Sequence, residues 1–122
     1  MEFNDSSNKP LFQQVADQIS LGILNGAYKE GQQIPSTTEI SKRFSINPAT
    51  VLKGMNLLVD EKLIEKKRGI GMFVLDGAKE KVTMIRKEEF LSKDVKELID
   101  EAKKLNIDLE ELKKIVESGY QS

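Results

Sequence analysis

NPATVLKGMNLLVDE, residues 47–61, reads as a short helix with one face for a core and one face left free. Asn47 can cap the orphan amides of a first turn, and Pro48 at the first helical position has no amide to leave unsatisfied. Val51, Met55, Leu58 and Val59 recur at the spacing of one helical face and point inward. Ala49, Thr50, Lys53 and Asn56 occupy the other side. Three of these four carry hydrogen-bonding groups and one is cationic, a set suited to phosphates and base edges rather than to catalysis. The stretch is therefore expected to be a DNA-recognition helix.

Working back from it, residues 36–46 supply a partner. Ser36 with Glu39 three residues on forms a capping box, Ile40 and Phe44 follow as an apolar i, i+4 pair, and Ser45-Ile46 leaves a very short turn into Asn47. Two short helices so joined, the second with a polar face, form a helix-turn-helix pattern. A plain helical hairpin in a small bundle is the alternative at this point. Further upstream, Pro10 opens a scaffold helix with Phe12, Val15, Ile19, Ile23 and Leu24 on one face, ended near Asn25 by Gly26. The breakers Gly31 and Pro35 then deliver Ile34 toward the core. Residues 1–9 are polar, carry no period and are expected to be a flexible arm.

Working forward, Leu63–Glu65 and Met72–Leu75 read as extended runs around KKRGIG, residues 66–71, whose glycines can supply the positive φ angles of a hairpin turn. A two-stranded wing directly behind a recognition helix makes the pattern a winged helix-turn-helix. Lys66, Lys67 and Arg68 form its basic tip, placed for a phosphate or the adjacent minor groove. As a nucleotide-binding loop, Gly69-Ile70-Gly71 lacks a third glycine and a following helix.

Composition narrows the function. The 122 residues include no cysteine and no histidine, which removes disulfides, thiolate nucleophiles, the usual base near neutral pH and the common zinc ligands. No catalytic residue, metal site or cofactor is expected, and no apolar run reaches the ~18 residues of a membrane span. A cytoplasmic location fits. The net charge of -1 conceals an uneven distribution: from Lys42 to Arg68 seven cations face three anions, whereas from Lys79 onward ten cations face eleven anions.

PLFQQVADQISLGILNGAYKEGQQIPS, ISKRFSINPATVLKGMNLLVDEKLI and RGIGMFV together resemble the DNA-binding domain of the GntR family of bacterial transcription regulators, over Pro10 to Leu75. The short tail and the Asn47–Val51 segment are most similar to the YtrA-like subgroup. The resemblance implies DNA contacts at Ser36, Thr37 and Thr38, at Ala49, Thr50 and Lys53, and at Gly71 in the wing. The cap Asn47 joins this set, while Arg43, Lys53 and the wing cations are expected to hold phosphates. Thr38 stands where many members carry arginine, and Met72 where threonine is common, so two polar contacts are expected to be missing.

After Asp76-Gly77 the chain becomes charged and helical. Leu91, Val95, Leu98, Ala102 and Leu105 follow a 4, 3, 4, 3 spacing, a narrow coiled-coil-like seam of about four turns. Asn106-Ile107 breaks it, and Asp108 with Glu111 forms a capping box opening a helix seamed by Leu109, Leu112 and Val116, with Ile115 beside it and Gly119 expected to end it. These stripes must meet each other, the winged domain or a second copy, and a homodimer is the economical answer. The tail of about 45 residues can hardly enclose a metabolite cavity, which leaves the dimer interface, with Met84, Phe90 and Tyr120, as the place for a small-molecule effector.

The expected fold is mainly α with a small β-wing: a flexible arm 1–9, a winged helix-turn-helix domain 10–76 and a two-helix dimerisation tail 77–122. The expected function is a homodimeric, sequence-specific DNA-binding regulator, a repressor of a transporter-type operon that binds a double-stranded operator. The alternative is a winged-helix protein-interaction module without sequence-specific DNA binding.

Overall fold

A computed structural model describes residues 1–4 and 7–122. The chain divides into two compact units, Met1–Met84 and Ile85–Ser122. In the first unit, α1 (Leu11–Leu24), α2 (Thr37–Phe44) and α3 (Pro48–Asp60) precede a hairpin of β1 (Ile64–Lys67) and β2 (Gly71–Val74), after which α4 (Ala78–Glu89) carries the chain into the second unit.

The core follows the expected periodicities. Val15, Ile19 and Ile23 of α1 meet Val51, Met55 and Leu58 of α3, with Ile34, Ile40 and Leu63 closing the cluster. Met55 and Leu58 are completely buried, and each such side chain contributes about 1.5–3 kcal/mol. Gly54 sits where α3 crosses α1: a Cβ there would lie 2.6 Å from the Phe12 carbonyl oxygen. The absent side chain thus sets how near the two helices come. Ala78 and Val82 belong to the same core, so the first unit extends past the boundary expected at Asp76.

The wing is wider than a hairpin. Val74 donates to the Gln32 carbonyl and Ile34 to the Met72 carbonyl, both at 2.9 Å, and Gln33 forms a single antiparallel bridge to Phe73, so the segment before α2 is tied to the outer edge of the two-stranded β1–β2 sheet. The hairpin itself reaches further than expected. Lys66 pairs with Met72 and Lys67 with Gly71 in the ladder, which leaves Arg68, Gly69 and Ile70 as the turn. Nothing in the sequence marks the lysines as strand residues, because β1 is exposed from Glu65 onward and carries no apolar alternation there, whereas β2 alternates half-buried and buried.

Residues 1–4 are docked, in contrast to the flexible arm expected over 1–9; Asp5 and Ser6 of that span lie outside the described residues. Asn4 donates its amide to Gln14 Oε1 at 2.7 Å, Gln14 Nε2 donates back to the Asn4 carbonyl at 2.9 Å, and Phe3 meets Phe44 edge-on at 5.2 Å. An aromatic among polar neighbours has no period to announce it.

In the second unit, the π-helical turn Phe90–Asp94 leads into α5 (Val95–Lys104), and α6 spans Leu109–Gln121. Asn106, at a φ of 58°, reverses α5, and the Ile107 amide returns to the Ala102 carbonyl at 2.9 Å. Asp108 caps α6 by accepting from the Glu111 amide at 2.9 Å. Gly119 does not end α6, which continues through it to Gln121, since its helical side is open and nothing there demands a positive φ. No helix among the described residues is long and apolar enough to cross a membrane.

Candidate nucleic-acid interface

The site begins at the α2 cap. Ser36 Oγ accepts from the Glu39 amide at 3.0 Å while Glu39 Oε1 accepts from the Ser36 amide at 3.2 Å, the reciprocal pair of a capping box. Thr37 is half-buried and Thr38 is exposed beside it. At the far end, Ser45 takes a left-handed conformation at φ 53°, and Ser41 Oγ donates to the Ile46 carbonyl at 2.6 Å. These bonds fix a turn of three residues, 45–47, between α2 and α3.

Asn47 caps α3, its Oδ1 accepting from the Ala49 amide at 2.9 Å. Asn47 is exposed, and the NH2 of the same amide group keeps its capacity to donate. Ala49, Lys53 and Asn56 are exposed and Thr50 half-buried, opposite the buried Val51, Gly54, Met55 and Leu58. Arg43 is exposed on α2, its guanidinium 5.5 Å from the centre of the Phe44 ring. The structure thus brings α2, the turn and α3 together as one surface. The helix ends cleanly: Lys62, at φ 59°, lets the Leu63 amide reach the Leu58 carbonyl at 3.0 Å and turns the chain into β1.

On the wing, Lys66, Lys67 and Arg68 are all exposed. Lys67 Nζ lies 4.5 Å from the Phe73 ring centre and 3.9 Å from Glu65 Oε1, a long pair on an exposed strand that leaves the cation available. Gly71 has a φ of 146°, and a side chain there would meet Gln33 Nε2. Met72 is buried in the core, so at this position the wing presents backbone alone. Exposed Gln33 and the half-buried Phe12 and Phe44 support this surface from beside it, and buried Gly54 sets the helix crossing beneath it, roles that sequence reasoning did not assign. A glycine inside the helical stretch 47–61 is the signal by which such a close crossing can be found.

A shallow cavity of about 130 Å³ is lined by Met1, Tyr28, Pro35, Arg43 and Phe44. Metabolite sites run to roughly 300 Å³ or more, so it is too small for one. Among the described residues, no cluster of carboxylates is placed to hold a metal ion.

A capped helix pair with an exposed polar second helix, backed by a basic two-stranded wing, defines a winged helix-turn-helix DNA-binding protein. The chain belongs to the family of bacterial regulatory proteins named gntR, whose family model matches residues 11–74. It is similar to the HTH-type transcriptional repressor YtrA of Bacillus subtilis, 31% identical over 92% of this chain and 85% of that one, which bears out the YtrA-like character read from the short tail and the Asn47–Val51 segment. A putative GntR-family regulator from Bacteroides thetaiotaomicron superposes with a TM-score of 0.73 at 34% identity, covering 92% of this chain and 97% of that one. S. agalactiae BusR, solved in complex with its busAB-promotor DNA, superposes with a TM-score of 0.60 at 27% identity over 93% of this chain and 56% of BusR. The protein is accordingly a DNA-binding transcription regulator and not an enzyme.

Proposed function

We propose that this regulator is a cytoplasmic homodimeric repressor that binds a two-fold symmetric operator and governs a transporter-type operon. One observation carries the DNA-binding surface: the exposed Ala49, Lys53 and Asn56 of α3 share the winged unit with exposed Arg43, Lys66, Lys67 and Arg68. In this reading α3 enters the major groove, Thr50 and Asn47 reach base edges or phosphates near its start, and Ser36, Thr37 and Thr38 meet the backbone at the start of α2. The wing, with Gly71 close to the duplex, follows the neighbouring groove.

Dimerisation falls to the tail. Leu91, Leu98, Leu105, Leu109 and Val116 are between 44% and 65% exposed, which supports their covering by a second copy. Val95 and Leu112 are half-buried and Ala102 is buried, so these three contribute less to a free seam than the spacing predicts. Ile99 and Ile115, also exposed, join it. Pairing two half-sites turns modest single-site affinity into useful specificity. A small-molecule effector would act at this interface, near Phe90 and Tyr120, by altering the spacing of the two recognition helices.

The test is fluorescence anisotropy with the DNA upstream of the chain's own coding sequence and with a scrambled duplex of equal length. Tighter binding to the upstream DNA in moderate salt is expected. Equal affinities would overturn the specific-repressor reading.

A further inference from the structure

Three cations of the proposed DNA surface rest on aromatic rings: Arg43 on Phe44, Lys53 on Phe12 and Lys67 on Phe73. The Lys53 pair is the tightest, with Nζ 3.9 Å from the ring centre, and it alone joins two helices distant in sequence. The fold explains how. Gly54, the next residue, brings α3 against the first turn of α1, where its missing Cβ would lie 2.6 Å from the Phe12 carbonyl and 3.1 Å from Val15 Cβ. A larger residue at 54 would lift Lys53 off the ring.

Phe12 is half-buried while Lys53 is exposed, so one side of the ammonium faces the ring and the other faces water. An ammonium has three donors, and a ring face attracts the cation without using up all of them. A lysine free in solvent must give up its rotamer freedom when it meets a phosphate. One already held on a ring gives up less.

We propose that Phe12 is a positioning residue for DNA binding: its ring presets the Lys53 ammonium for a phosphate, across a helix crossing that Gly54 makes close enough. This rests on the DNA surface proposed above. The ring supplies no DNA contact itself, so its effect exists only while Lys53 is a cation.

A double-mutant cycle tests this, with the parent, Phe12→Leu, Lys53→Met and the double variant titrated against the upstream duplex at several salt concentrations. Phe12→Leu is expected to weaken binding roughly threefold to tenfold, the cost of immobilising one long side chain. Its salt dependence should match the parent's, because Lys53 still displaces its counterion. Lys53→Met should reduce the salt slope by about one. In the Lys53→Met background Phe12→Leu should have no further effect, and Phe12→Tyr, which keeps the ring, should restore what leucine loses. An equal loss from Phe12→Leu with and without Lys53 would overturn the inference, since the ring would then act through packing alone. A parent that binds no duplex would overturn the DNA-surface reading as well, an outcome distinct from an additive cycle. Should the leucine variant fail to fold, NMR of the parent decides: the Lys53 side-chain methylenes must be shifted upfield of the other lysines by the Phe12 ring current, and an unshifted Lys53 overturns the proposal.

Discussion

Gln33 Nε2 donates to the Ile70 carbonyl at 3.0 Å, holding the turn of the wing from a residue that precedes it by 37 positions. The same side chain occupies the space that a residue other than glycine at 71 would need. Gly71→Ala should therefore both strain the backbone, at a φ of 146°, and displace Gln33. We expect a loss of about 1–3 kcal/mol in urea denaturation, together with weakened DNA binding. Adding Gln33→Ala should recover the steric part and leave the conformational part, so a full recovery would show that strain at 71 is absent.

Gly54→Ala sets helix propensity against packing. Alanine favours the helix by up to about 1 kcal/mol, whereas forcing α1 and α3 apart costs about 1–3 kcal/mol. The clash is with backbone, the Phe12 carbonyl, which cannot swing aside. Net destabilisation is expected, and a variant more stable than the parent by denaturant melting would refute the close crossing.

The double substitution Lys66→Glu and Lys67→Glu probes the wing. Both lysines are exposed strand residues, and the contacts of Lys67 with Glu65 at 3.9 Å and with the Phe73 ring face at 4.5 Å lie on the open surface, so the fold should survive. DNA affinity should fall and the slope of log affinity against log salt should become shallower by one or two units. Unchanged binding would mean that the wing lies away from the duplex.

Leu98 is half exposed at 50% on a helix whose neighbour Ile99 is exposed too. Leu98→Asp should leave the melting of the winged unit intact and convert dimers to monomers in sedimentation velocity. A persistent dimer would place the pairing surface elsewhere.

Glu61, at the end of α3, has its carboxyl pushed above the usual range, first by partial burial and then by the negative charge of Asp17. A raised folded-state value means the fold favours the neutral acid, so stability is fully present below the unfolded-state value and is lost as pH rises through the folded one. Glu61→Gln should thus be slightly stabilising at pH 7, by less than about 0.5 kcal/mol given its exposure to solvent. The gain should vanish below pH ~4, where both states are protonated. Equal melting temperatures of the two proteins at pH 7 would dispose of the effect.

Much of the winged unit could be read from local chemistry. Asn47-Pro48 and the Ser36–Glu39 pair announce helix starts because caps act within four residues, and the inward faces of α1 and α3 repeat at the helical period. What escaped the reading depends on residues far apart. Gln33 looks like a loop residue until Phe73 lies beside it, and Lys66 and Lys67 look like a turn because an exposed hairpin needs no apolar alternation. The cation-bearing rings escaped for a related reason: Phe12 fits a core face equally well, and only the crossing at Gly54 brings Lys53 over it.

The π-helical turn at Phe90–Asp94 contains one residue more than an α-helix would use to cover the same bonds. Each residue of an α-helix advances the side chains by about 100°, but the wider turn takes up its extra residue without that advance, so removing one residue there would return the segment to α-helix and leave Leu98 and Ile99 on the face they now occupy. The same single-codon deletion inside α5, upstream of Leu98, would turn that exposed apolar pair by about 100° relative to Ile85. The wide turn is therefore the place in this unit where the chain can change length by one residue and keep its exposed apolar face in register.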